Sequence, residues 1–188
     1  MKLICIHGTG GRGVSYYLKP DTALLRNNAA FYYPDFTTQL EAQICAVVRL
    51  CRLGRSISER FAARYYDAVG AGVTFTAADL LARCKAEAQP WDTALSFDYS
   101  AAVSREFIGM AQWRESRYRM RAHADADIPL SPGNMQLVDK IIEYVSNFMT
   151  VKIGDYLFIP LSPPFQVRRG QRIETFLMDN KMVEVEIK

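Results

Sequence analysis

Five short runs limit what this chain can fold into. Leu3 to Ile6, Ile44 to Leu50, Tyr156 to Ile159, Ile173 to Leu177 and Met182 to Ile187 are apolar or alternating stretches of strand length. In the last, Val183, Val185 and Ile187 alternate with Glu184 and Glu186, so one face meets a core and the other meets water. Three stretches carry helix start signals. Ser56 with Glu59 forms a capping box, and Ile57, Phe61 and Tyr65 recur at helical spacing, predicting a helix that runs until Gly70. Thr76 with Asp79 repeats the pattern, and that helix should stop before Pro90. Asn134 is placed to cap a third, in which Leu137, Val138, Ile141, Ile142, Val145 and Phe148 make a broad apolar stripe. Strands with few helices between them predict an α+β fold, a mixed β-sheet arrangement with a few short helices.

With 188 residues the chain can bury a core of its own, and without repeats or long linkers it is read as one domain over 1–188. Its 23 basic residues nearly balance 20 acidic ones, which argues against a nucleic-acid or membrane partner. Charge interrupts every apolar run before membrane-spanning length, and Met1 to Ile6 is too short for a signal-peptide core, so a cytoplasmic protein is expected. Cys5, Cys45, Cys51 and Cys84 show no CxxC pair, and reduced, buried thiols are expected.

Several segments, in order and spacing, carry a resemblance that covers nearly the whole chain. Tyr17 to Asn28, with Lys19-Pro20, is followed by Tyr32-Tyr33-Pro34-Asp35-Phe36. Val47 to Gly54 precedes Tyr66 to Gly70 and Phe75-Thr76-Ala77-Ala78-Asp79-Leu80. Pro90-Trp91 with Ser96-Phe97-Asp98, then Ile141 to Ser146, Ile153 to Phe158 and Gly170, complete the series. Together they resemble the fumarylacetoacetate hydrolase superfamily. The resemblance implies a β-rich roll, a dimer, and a site where Mg2+ or Mn2+ serves the cleavage or isomerisation of oxo acids.

The resemblance places the family's two glutamates at Gln43 and Cys45, its third metal ligand at Thr74, its lysine at Leu95 and its arginine at Ala78. Its Thr-Gly-Thr-Pro loop falls on Ile159-Pro160-Leu161-Ser162, and the loop that brings a histidine is shortened within a truncated, glycine-rich segment at 1–16. Two glutamates at spacing two share one strand face and can meet one hard cation; an amide, a thiol and a hydroxyl are poor substitutes. Three anions and two cations go together, which a buried site tolerates better than losing one sign alone. The cleft should be less charged and partly filled by Leu95 and Ile159. Glu41, on the same strand face as Gln43, and Asp79 could form a displaced site, but a rim charge and a helix cap are the preferred roles.

The expected function is therefore that of a family member without metal-dependent catalysis, acting in binding or scaffolding as a homodimer, with no cofactor. The alternative is an active hydrolase or isomerase of a 2-oxo or enol dicarboxylic acid with a rebuilt Mg2+ or Mn2+ site. A third reading has the emptied cleft and the Gly8 to Gly13 loop hold a small ligand such as an oxo acid.

Four other motifs are weaker. Gly8-Thr9-Gly10-Gly11-Arg12-Gly13 matches GxGxxG, but Pro20 leaves no room for the helix that motif needs. His7 to Gly11 is similar to the oxyanion loop of α/β-hydrolases, yet there is no GxSxG elbow. His123, Asp125 and Asp127 alternate as a metal-binding strand would, although a solvated polar loop is preferred. Arg117, Arg119 and Arg121 alternate with Tyr118 and Met120, read as a strand with one wet face rather than a nucleic-acid surface.

Overall fold

The computed structural model describes residues 1–8, 13–26, 29–115, 120–177 and 180–188. Among these, β1 (Lys2–Gly8), β2 (Ser15–Pro20), β3 (Leu24–Leu25), β4 (Leu40–Leu50), β5 (Tyr66–Ala77), β6 (Ala101–Val103) and β7 (Ile108–Gly109) lie in the first part of the chain. They are followed by β8 (Met120–Ala124), β9 (Ala126–Ile128), β10 (Tyr156–Pro160), β11 (Phe165–Gln166), β12 (Arg172–Leu177) and β13 (Asn180–Glu186). The helices are short: α1 (Glu59–Ala62), α2 (Ala78–Ala86), α3 (Asp92–Leu95), α4 (Met110–Glu115) and α5 (Val138–Phe148). The expected mixed-sheet α+β architecture is what forms. One sheet runs β2-β1-β10-β4-β5-β6-β3, with β11 on β4 and β7 on β5, and a smaller one runs β13-β12-β8-β9. β1 pairs parallel with β10 and β3 with β6, while the other ladders are antiparallel.

The large sheet is rolled. β2 and β3 stand at its opposite ends, yet only the 3-10 turn Asp21–Ala23 joins them. In a flat sheet β2 and β5 would lie about 19 Å apart, four strand spacings. Instead, Lys19 of β2 reaches the Phe75 carbonyl of β5 at 3.1 Å. The roll encloses a small core of Leu3, Cys5, Leu24, Cys45, Val47, Val103 and Phe158. The other face of β4 and β5 packs through Ile44, Val48, Val69 and Val73 against Val183 and Val185 of the small sheet and Ile141, Ile142 and Val145 of α5. The buried Asp155 staples the start of the chain: its carboxylate accepts from the Lys2 backbone N–H at 3.0 Å, the Lys152 N–H at 2.8 Å and the Lys2 ammonium.

The helix expectations need correction. Ser56 sits at φ 52°, outside the extended conformation an N-cap needs, and Ser58 precedes a single turn of helix instead. Tyr66 already belongs to β5, whose pairing with β4 takes precedence over local helical spacing. Thr76 lies in β5, and α2 starts at Ala78 without a side-chain cap. The third helix begins at Val138, after a 3-10 turn over Pro132–Leu137, rather than at Asn134. Phe148, expected in its apolar stripe, is 63% exposed. The stretch His123 to Asp127 is not a loop but the β8–β9 hairpin, turning at Asp125 with φ 60°. Thr9 to Arg12, which carry the two glycine-motif readings, and Arg117 to Arg119 lie outside the described residues. No helix among the described residues is long and apolar enough to cross a membrane.

Candidate functional site

β4 and β5 place three of the singled-out residues together. Gln43 and Cys45, two apart on β4, share the face that looks into the roll, and Thr74 of β5 lies directly opposite Gln43. The Cys45 thiol is 3.8 Å from the Thr74 hydroxyl. Opposite Cys45 stands Gly72, where a Cβ would come within 2.6 Å of Val47 and 2.8 Å of Phe158; the absent side chain is what lets this wall close. The Gln43 amide donates to the Ser162 carbonyl at 2.9 Å. Ser162 in turn accepts from the Ile44 N–H at 3.0 Å and donates to the Pro163 carbonyl at 2.8 Å, which stitches the segment after β10 onto β4.

The residue sequence reasoning missed as part of this site is Lys19. Fully buried, its ammonium donates to the Phe75 carbonyl at 3.1 Å, the Ser100 hydroxyl at 2.8 Å and the Leu95 carbonyl. No carboxylate among the described residues pairs with it. Burial lowers its pKa from 10.5 to about 8, with Cys5 and Cys45 acting weakly in the other direction, so the group is mainly charged at neutral pH. Around it, burial holds protons on. Cys5 is pushed up to about 11, and Cys45 and Tyr17 are raised in the same direction, each chiefly by loss of solvent. The Tyr17 hydroxyl interacts with Cys5 and Thr74. The hollow therefore contains one cation among neutral thiols and hydroxyls. Lys19-Pro20 was visible as a sequence signature, but nothing local said where the ammonium would point.

The remaining candidates scatter. Leu95 is buried at the end of α3 and, with Tyr17, Pro90, Trp91 and Ser96, lines a cavity of about 250 Å³. Ile159 and Leu161 do not fill the hollow: strand alternation turns Phe158 inward and puts Ile159 into the core on the other face. Ala78 opens α2, its N–H donating to the Gln39 carbonyl at 2.8 Å. Glu41 sits one ladder step from the open end of β4, paired with Thr76 and Gln166. The Asp79 carboxylate is engaged away from Thr74, accepting from the Thr37 hydroxyl, from the Thr38 N–H at 2.9 Å and hydroxyl at 3.1 Å, and from the Leu80 N–H at 2.9 Å. Partial burial pushes its pKa up, but those bonds outweigh it and bring it to about 2. His123 Nδ1 lies 3.3 Å from Asp127 on an exposed sheet face.

This donor set does not fit a hard divalent cation. The hollow offers a neutral amide oxygen, a protonated thiol and a hydroxyl, where Mg2+ or Mn2+ takes anionic oxygens. Among the described residues no group of three His, Cys, Asp or Glu side chains is arranged to hold a metal ion.

Comparison with known proteins follows the same outline. Mitochondrial oxaloacetate tautomerase FAHD1 of Bos taurus is 27% identical over 149 residues, covering 75% of this chain and 65% of that protein, so the chain spans just under two thirds of its length. A solved Yersinia pestis protein described as of the fumarylacetoacetate hydrolase family superposes with a TM-score of 0.84 at 24% identity, over 100% of this chain and 92% of its own. This chain has the fumarylacetoacetate hydrolase fold. Fumarylpyruvate hydrolase from Pseudomonas aeruginosa, solved in complex with Mn2+ and pyruvate, shares that fold with a TM-score of 0.84 at 19% identity, over 100% of this chain and 89% of its own. The chain matches no family model.

Proposed function

We propose that this chain is a member of the fumarylacetoacetate hydrolase superfamily that has given up the metal-dependent reaction and keeps the scaffold for binding. The observation that carries the reading is the neutral donor set on one wall of the roll, Gln43, Cys45 and Thr74, with no carboxylate among the described residues beside the buried ammonium of Lys19. A divalent cation placed in the hollow is repelled by that positive charge. Carboxylates at positions 43, 45 and 74 would offset that repulsion; Gln43, Cys45 and Thr74 do not. Calorimetry with Mn2+ and Mg2+ tests the proposal. The expected result is no binding in the micromolar range, and micromolar affinity overturns it. Restoring the carboxylates with Gln43→Glu, Cys45→Glu and Thr74→Asp should bring Mn2+ binding back, because Gln43, Cys45 and Thr74 share one wall.

The relatives' names favour a second reading, in which this chain still acts on an oxo acid. FAHD1 is named a tautomerase and the Pseudomonas protein a fumarylpyruvate hydrolase. Turnover of oxaloacetate or an acylpyruvate that a chelator abolishes would establish that reading and remove the first.

A further inference from the structure

The near balance of basic and acidic residues over the whole chain hides a local excess. Residues 49–64 carry five arginines against one acid, Glu59. They run from the end of β4 through α1, and the turn after α5 comes alongside them. The Gly54 and Val151 backbones exchange hydrogen bonds at 3.0 and 2.9 Å, and Leu50 is bonded to Asp155 and Gly154 at 2.9 and 3.0 Å, so Arg52-Leu53 lies beside Lys152-Ile153. Ile153 and Leu53 are 72% and 65% exposed, more than any other aliphatic side chain among the described residues. The Tyr65 carbonyl accepts from the Cys51 N–H at 2.8 Å, which anchors the end of α1 beside Arg52, and Arg60 and Arg64 stack on Phe61 at 4.6 and 4.9 Å. The nearby acids are turned elsewhere. Asp67 forks Arg49 with two bonds of 2.9 Å, Asp155 is buried with Lys2, and Glu143 accepts from the Glu59 N–H at the start of α1 at 3.1 Å. Arg52, Arg55, Arg60, Arg64 and Lys152 form no ion pair among the described residues.

We infer that this corner docks on an anionic phospholipid surface, with Leu53 and Ile153 entering the headgroup layer while the cations around them meet the lipid phosphates and carboxylates. A negatively charged bilayer attracts every cation that comes near it without demanding a fixed geometry from any of them. The two aliphatic tips gain by leaving water for the edge of the acyl region. Other anionic partners call for features this corner lacks. A nucleic-acid strand stacks on open aromatic faces, whereas the Phe61 ring already carries two guanidinium groups. An acidic peptide is held in a groove or along a free strand edge, whereas Leu53 and Ile153 project as knobs. The surface goes beyond the metal-free reading and depends on nothing in the hollow.

The test is co-sedimentation of the full chain with vesicles of phosphatidylcholine alone and of phosphatidylcholine with about 30% phosphatidylserine, in about 0.1 M NaCl. The chain should sediment with the anionic vesicles and not with the neutral ones, and about 0.5 M NaCl should release most of it. Arg52→Gln combined with Arg55→Gln should weaken partitioning about 25-fold, at roughly fivefold per cation. Leu53→Ser combined with Ile153→Ser should weaken it about tenfold or more, with an unchanged thermal melt because both side chains are exposed. Arg168→Gln combined with Arg169→Gln is the control: these exposed arginines follow Val167, which is bonded to Leu40 at the opposite end of β4, and partitioning should change by no more than about twofold. Equal binding to neutral and anionic vesicles, no binding to either, or an equal loss in the control variant overturns the inference. So does tighter binding to a single-stranded oligonucleotide or to polyglutamate than to the anionic vesicles.

Discussion

Replacing Lys19 by methionine keeps most of the side chain's volume and removes its charge. Three buried acceptors lose their donor: the carbonyls of Phe75 and Leu95 and the Ser100 hydroxyl. At about 1–3 kcal/mol for each acceptor left without a partner, the loss is roughly 6 kcal/mol at the middle of the range. Against it stands the relief of a buried charge. The fall of the Lys19 pKa from 10.5 to about 8 corresponds to about 3 kcal/mol at roughly 1.4 kcal/mol per unit. Lys19→Met should therefore destabilise the fold by about 3 kcal/mol at neutral pH, read as a lower urea midpoint at unchanged slope. The gap should widen between about pH 8 and 10. There the unfolded wild-type chain binds a proton at Lys19 that the folded chain has released, so wild-type stability gains from this group as pH rises, and the methionine variant has no such gain. A variant as stable as wild type at neutral pH would refute the reasoning: the three bonds would then return no more than the buried charge costs, and Lys19 would not be the clamp that closes the roll.

Two further outcomes follow from the same hollow. The thiols oppose Lys19 in alkali: the Cys5 pKa rises from 9.0 to about 11 and that of Cys45 in the same direction, so above about pH 9 the folded chain keeps protons that the unfolded chain loses, and stability falls. Wild-type urea midpoints at half-unit steps should rise slightly from about pH 8 to 9 and then decline; a steady fall from pH 7 would contradict the burial of Lys19. Gly72→Ala should cost about 3 kcal/mol or more, since its Cβ would meet the Ala102 backbone oxygen at 2.9 Å as well as Val47 and Phe158, and an unchanged melting temperature would count against that packing.

The strands were legible wherever alternation or a clean apolar run marked them, as in β4 and β13. β5 escaped that pattern. Ala68, Gly70, Ala71 and Gly72 dilute its apolar signal; at Gly72 Val47 and Phe158 leave no room for a Cβ, and at Gly70 Ser104 and Phe107 leave none. α1 was overextended because Ser56, Glu59 and Phe61 do carry helix signals, while the bonds that hold Ser56 and Ile57 in place come from Ser146 of α5, far along the chain. Ile159 was expected in the cleft; its place on the opposite face follows from alternation around Phe158, a parity that only the inward neighbour could reveal.

By itself the sequence determined that Gln43 and Cys45 share a strand face and that neither carries a charge, because a strand's two-residue period is a local property of the backbone. It also marked the strand-rich α+β class, since short alternating runs have few other uses. Only the tertiary structure decided that a cation sits in the hollow. The three groups that hold the Lys19 ammonium are 56, 76 and 81 residues away, and no pattern within β2 encodes which strands will curl over it. The charge of the hollow is set by the closure of the roll, and closure is a property of the whole sheet.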